Sequence, residues 1–187
     1  MNLTFKPLTE SEWNSFETLF GEKGACAGCW CMYWRISRKE FESNRSPDNK
    51  RLMKGLVKKG SMPGIIAFEE GKPVGWCAFA PRSEYVRLAN SRILKPVDDK
   101  EVWSVSCFFI EKGSRGKGVA TELLKAAAEE AKRMGADLLE GYPVDPEEGK
   151  RYPPAFAWHG LAAIFVAAGF REVERRSPSR PIMRLEL

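Results

Sequence analysis

The sequence predicts a mixed α/β fold, and three features carry that expectation. Apolar residues recur at helical spacing through much of residues 9–60, and at Gly64 the pattern changes to the period of a strand. Residues 102–110, VWSVSCFFI, are apolar nearly throughout, as a strand covered on both faces must be. A glycine-rich turn then leads into a helical pattern with a face of small residues.

In chain order, Asn2 to Leu8 alternates Leu3 and Phe5 with polar neighbours and reads as a strand. Thr9, followed three residues later by Glu12, reads as a capping box opening a helix through Leu19 and Phe20, which Gly21 and Gly24 stop. After the segment GACAGCWCMYWR, Ser37 and Glu40 offer a second capping box. Ser46, with Pro47 at the first helical position, opens a further helix that Gly60 ends. Ile65 to Phe68, the turn Glu70-Gly71-Lys72-Pro73 and Val74 to Ala80 form an antiparallel hairpin. Residues 81–101 read as a connecting loop before the strand from Val102 to Ile110. The helix from Val119 to Met134, ended by Gly135, gathers Ala120, Leu123, Leu124, Ala127, Ala128 and Ala131 on one face. Leu138 to Tyr142 is the next strand, and Gly160 to Ala168 a short apolar helix stopped by Gly169. Phe170 to Glu174 and Ile182 to Leu187 make a closing strand pair.

Length and composition narrow the class. At 187 residues, without internal repeats or a low-complexity linker, the expectation is one domain over 1–187, with a helical part at about 9–60 and a core at about 61–187. No apolar run approaches the ~20 residues that span a bilayer, and the first thirty residues lack the order of a signal peptide, so a cytoplasmic protein without a membrane partner is expected. Five cysteines, an odd number, beside eleven Phe and six Trp read as thiols rather than a disulfide framework. A formal charge of +5 attracts phosphate groups without saying whether they belong to nucleic acid or to a cofactor.

The turn after the buried strand holds glycines 113, 116 and 118 and the cations Lys112, Arg115 and Lys117. Glycines let backbone N–H groups turn toward a ligand, and the following helix adds the partial positive charge of its N-terminus, which together suit a pyrophosphate. A Walker A loop is excluded because Gly118, not Ser or Thr, follows Lys117; the dinucleotide fingerprint is excluded because Thr121 stands where its third glycine belongs. The plain alternative is a tight turn with solvated cations.

With Arg115, Gly118 and Ala120 in the pattern Arg-x-x-Gly-x-Ala between strand and helix, the chain resembles the GNAT superfamily of acyl-CoA N-acyltransferases. The likeness in element order, down to the Ala168-Gly169-Phe170 helix ending, covers essentially the whole chain. It implies the GNAT-like fold, a central mixed, mostly antiparallel sheet flanked by helices, with CoA bound in the 61–187 core. It also implies acetyl-CoA as co-substrate without a metal, and direct transfer to the amine of a small molecule or peptide by a monomer or homodimer. By resemblance, Arg115, Gly116, Lys117, Gly118, Val119 and Ala120 bind the pyrophosphate with Thr121 at the edge, while Phe108, Phe109 and Ile110 pair their main chain with the pantetheine arm. The chain departs from the family at two positions: Phe165 stands where many members place a tyrosine acid, and Trp158 where an asparagine is common. A thiolate leaving group of pKa ~8.5 needs little help, so the missing acid does not forbid transfer.

An alkyl amine of pKa ~10.4 does need a base. Glu140 and Tyr142, two apart on the strand beside the cofactor strand, are the first candidates, and His159, the one histidine, is the third. For each, the plain reading is an ion-paired, core or surface residue. Cys107 or Cys29 as an acyl-carrying nucleophile is a further option, although no His or acid is spaced to activate either. Cys26-x-x-Cys29 supplies half of a zinc site but lacks a second pair, and the same cysteines and tryptophans can simply fill a gap beside the sheet. The resemblance gives this region the acceptor wall, with Trp30, Tyr33, Trp34 and Arg35 shaping substrate choice; aromatics with one guanidinium suit an acceptor that bears a carboxylate. The departures also keep open a CoA-binding module without catalysis. The arginines at 171, 175, 176, 180 and 184 alternate along a strand pair and read as a solvated face, so no nucleic-acid partner is expected.

Overall fold

The computed structural model describes residues 2–146 and 157–187. Its strands are β1 (Leu3–Pro7), β2 (Gly64–Glu69), β3 (Lys72–Pro81), β4 (Trp103–Ile110), β5 (Leu138–Gly141), β6 (Arg171–Arg175) and β7 (Pro181–Glu186). Among the described residues they form one seven-stranded sheet in the order β1-β2-β3-β4-β5-β7-β6. All neighbours are antiparallel except β4 and β5, which run parallel.

The apolar runs are continuous because both faces of the sheet are covered. Along β2, Ile65 and Ala67 face one layer, with Leu123, Leu124 and Ala127 of helix α5 (Val119–Arg133), while Ile66 and Phe68 face the other. That second layer packs Phe16 and Phe20 of α1 (Trp13–Phe20), and Met53 and Val57 of α3 (Ser46–Lys58), against Trp76 and Ala78 of β3. A Cβ at Gly75 would stand 2.7 Å from Cδ1 of Leu123, so the glycine is what lets α5 lie close on β3. Two short helices complete the N-terminal half, α2 (Arg38–Ser43) and α4 (Val86–Ala89); α6 (Ala162–Ala167) precedes the closing hairpin. Among the described residues no helix is long and apolar enough to cross a membrane.

Some expectations are corrected. Thr9 does not cap α1: its hydroxyl meets Ser11 at 2.9 Å, Glu12 pairs with Lys6 at 3.0 Å, and a 3-10 turn over Glu10–Glu12 leads into the helix. Ser37 does cap α2, accepting from the Glu40 N–H at 3.2 Å. The stretch 81–101 is more than a loop. It contains α4 and a 3-10 turn and buries Tyr85, Leu88 and Leu94, apolar anchors too widely spaced to give a periodic signal.

Candidate active site

The parallel pairing of β4 with β5 covers Trp103↔Leu139, Ser104↔Glu140 and Val105↔Gly141, and β5 then ends while β4 continues to Ile110. The Glu111 N–H bonds the Val74 carbonyl of β3, so by alternation Ile110 and Phe108 present their main chain to the opposite edge, where the strands part. That edge is partly engaged by the chain itself. The Phe108 N–H donates to the Trp158 carbonyl at 2.6 Å, and the Ile110 carbonyl accepts from Nε of Arg115 at 3.0 Å. Phe109 lies on the other side, 5.4 Å from the Phe20 ring.

Beyond Ile110 the chain turns through exposed Lys112, Arg115, Gly116, Lys117 and Gly118 into α5, whose Val119 is buried. Gly116 and Gly118 have φ of 73° and 81°, a conformation that glycine adopts without strain. A Cβ at either would meet nothing within 4 Å. Among the described residues, no backbone carbonyl takes the N–H groups of Gly116, Lys117, Gly118, Val119 or Ala120. The result is a solvent-facing cradle of donors at the positive end of a 15-residue helix, with three cations around it and half-buried Thr121 one turn in.

Glu140 and Tyr142 come together, but in an anchor and not at an open face. Glu140 is fully buried and takes bonds from Arg82 Nη1 at 3.1 Å, Tyr142 OH at 2.6 Å and Arg184 Nε at 2.8 Å. Arg184 also grips Asp98 at 2.7 and 3.0 Å, which holds the Asp98 carboxyl below its usual range. Tyr142 takes a bond from Arg82 and lies 2.8 Å from Ser104 Oγ; burial first, then the Glu140 charge, pushes its phenol well above the usual range. A carboxylate gripped by two guanidinium groups and a phenol kept neutral suit positioning more than proton transfer.

His159 is buried, with its ring 3.7 Å from that of Trp158 in a stacked pair and 5.5 Å from Trp34. Burial, and then the positive field of Arg180, pushes its imidazole well below the usual value, against a smaller raising effect of the Ser106 backbone. Tyr33 joins this wall, 5.1 Å from both Trp34 and Trp158, with the Arg87 guanidinium 3.8 Å over its ring. Trp30 is elsewhere: it packs in the core between Phe16 and Phe20 and donates Nε1–H to Ser46 at 2.9 Å. Arg35 is buried against Tyr85, a neighbour 50 residues along the chain that no motif announces.

All five cysteines are thiols. The neighbouring Cys31 thiol and burial push Cys29 upward, and burial pushes Cys31 well upward; at Cys107 the lowering effect of Cys31 is outweighed only by burial and the surrounding thiols together. Protonated thiols make poor acyl carriers. Among the described residues no group of three His, Cys, Asp or Glu side chains is placed to hold a metal. Phe165 is fully buried against Gly141, where a Cβ would stand 2.0 Å from its Cε1.

Residues 30–147 match the model of the acetyltransferase (GNAT) family. The chain belongs to that family. Solved structures share the fold. A GNAT-family acetyltransferase from Listeria monocytogenes superposes with a TM-score of 0.58 at 10% identity, over 99% of this chain and 95% of that one. The PaiA N-acetyltransferase of Thermoplasma acidophilum, in complex with coenzyme A, gives 0.53 at 14% over 100% of both chains. The Drosophila melanogaster polyamine N-acetyltransferase, which forms N-acetylagmatine, gives 0.55 at 10% over 100% of both. No curated protein sequence matches the chain significantly.

Proposed function

We propose that the protein transfers the acetyl group of acetyl-CoA to the amine of a small molecule or peptide by direct attack on the thioester. The observation that carries this reading is the open cradle of N–H donors at Gly116–Ala120 beside a β4 edge that has parted from β5. In this reading the cradle and Lys112, Arg115 and Lys117 hold the pyrophosphate, and the Phe108 and Ile110 main chain receives the pantetheine amides. The Trp158 carbonyl then yields the Phe108 N–H. A backbone donor on the parted strand also steadies the oxyanion as it develops. Of the three base candidates, His159 is our choice. It is neutral at pH 7, and a neutral imidazole offers one ring nitrogen as an acceptor for the ammonium proton. The thiolate leaves without a tyrosine acid, since Phe165 has no hydroxyl.

Calorimetric titration of acetyl-CoA into wild type and Gly118→Trp tests the cofactor half. The substitution fills the cradle, and binding is expected only in wild type. Absence of wild-type binding would overturn the proposal. The buried Phe165 favours one second reading, an acyl-CoA-binding module without turnover; release of CoA thiol in the presence of an amine panel separates the two.

A further inference from the structure

One polar part of the acceptor wall has donors with nothing to receive them. Arg35 is 7% exposed, and its Nη1 donates to the Glu84 carboxylate, yet among the described residues Nε and Nη2 have no acceptor. These two N–H groups share one edge of the planar guanidinium and point in parallel, which is the fork that matches the two oxygens of a carboxylate. Glu84 grips the other side and so presents this edge in a fixed orientation. Beside it, Trp34 packs on the cluster that contains Tyr85, and its Nε1–H is likewise buried without an acceptor among the described residues. The Tyr85 ring, 1% exposed, lies 4.8 Å from the guanidinium. Its hydroxyl sits toward the Ser106 side chain without meeting hydrogen-bond geometry.

Buried donors are nearly always paired, because water has been stripped from them. Here they cluster on adjacent side chains with one positive charge, the signature of an anion subsite and not of an apolar wall. Trp34 connects that subsite to His159 and Trp158, and Tyr85 connects it to Ser106 on β4, one residue past the last pairing with β5.

We propose that Arg35, with Trp34 and Tyr85, binds a carboxylate of the acceptor, so that the acceptor is an amine carrying a carboxylate on an apolar or aromatic body, as a free aromatic amino acid does. This assignment rests on the transferase reading, since it names the acceptor for that same site. It also sets the chain apart from polyamine acetylation: a second ammonium placed here meets a buried guanidinium.

The test uses 3-phenylpropionate, which has the ring and the carboxylate but no amine, titrated calorimetrically into the full chain. It is expected to bind wild type at least ~10-fold more tightly than the neutral 3-phenylpropanamide, the scale of a charge-assisted pair. Arg35→Met is expected to abolish that preference, and Arg35→Lys, which keeps the charge but loses the fork, to retain only part of it. Glu84→Gln, which removes the competing carboxylate, is expected to tighten binding. Thermal unfolding checks each fold; if Arg35→Met does not fold, Arg35→Lys and Trp34→Phe carry the comparison. Equal affinity of wild type for acid and amide, or no binding of either, overturns the proposal. Acetyl-CoA binding is scored separately. Acetyl-CoA bound without 3-phenylpropionate sinks the acceptor assignment alone, whereas the reverse sinks the transferase reading and leaves the anion subsite standing.

Discussion

Glu140→Gln removes the charge that two guanidinium groups share while keeping the shape of the side chain. In the wild type the carboxylate receives Arg82 at 3.1 Å, Tyr142 at 2.6 Å and Arg184 at 2.8 Å, and none of it reaches solvent. After the change, Arg184 still holds Asp98, and the new amide oxygen still accepts from Tyr142. Arg82 keeps the Tyr142 hydroxyl and the carbonyls of Leu94 at 2.6 Å and Leu88 at 3.4 Å. Breaking a buried ion pair costs about 3–5 kcal/mol, and the retained partners place this case at the lower end, about 3 kcal/mol. For a chain of this size that is a fall of about 6–12 °C in Tm. Urea and thermal unfolding at pH 7 measure the cost, and kcat/KM from pH 6 to 9 measures the chemistry. An anchor predicts lost stability with the wild-type shape of the pH profile. Unchanged stability with a collapsed and displaced profile would refute the reasoning and make Glu140 the base.

Three further outcomes are expected. His159 has its folded pKa depressed by burial and by Arg180, so the stability it contributes is complete above the unfolded value of ~6.5 and is lost as pH falls below it. Wild type should therefore weaken from pH 6.5 to 5 by at most ~1.4 kcal/mol per pH unit, and His159→Gln should flatten that window in urea titrations; Asp98, Glu17, Asp48 and Glu172 act only at lower pH. Phe165→Tyr puts a hydroxyl into packed space beneath Gly141, so it should cost about 1–3 kcal/mol by thermal unfolding and give no gain in kcat. Gly118→Ala and Gly60→Ala share positive φ and open surroundings, so both should lose about 1 kcal/mol, but only the first should weaken acetyl-CoA binding in calorimetry.

The elements that read clearly from sequence are those with one dominant local cause. The run at 102–110 is a strand with both faces covered, and the Gly116 and Gly118 turn needs positive φ that few other residues accept. The cradle proposed to hold the cofactor was legible as a turn with free donors because it is made from backbone in one short segment. The proposed acceptor subsite was legible only in part: Trp34 and Arg35 stand together in one segment, but Tyr85, Ser106 and His159 arrive from three others, and no spacing along the chain announces their meeting. Glu140 and Tyr142 do meet, although β5 ends at Gly141 and Tyr142 lies just past it, and what surrounds Glu140 depends on Arg82 and Arg184, 58 and 44 residues away. Trp30 looked like its aromatic neighbours and went to the core instead, where it and three other non-glycine residues, Ala25, Ala27 and Cys31, hold positive φ.

The three residue pairs that join β4 to β5 leave the sheet as two stiff plates with a short seam, β1–β4 on one side and β5, β7 and β6 on the other. Compliance concentrates at such a seam, and a molecule lodged in its open end acts as a brace between the plates. Saturation with a ligand at a hundred times its Kd adds about 2.7 kcal/mol to folding stability. In hydrogen exchange, that gain is expected to spread as slower opening of both plates, β7 included, rather than as local protection of the turn at Gly116–Gly118.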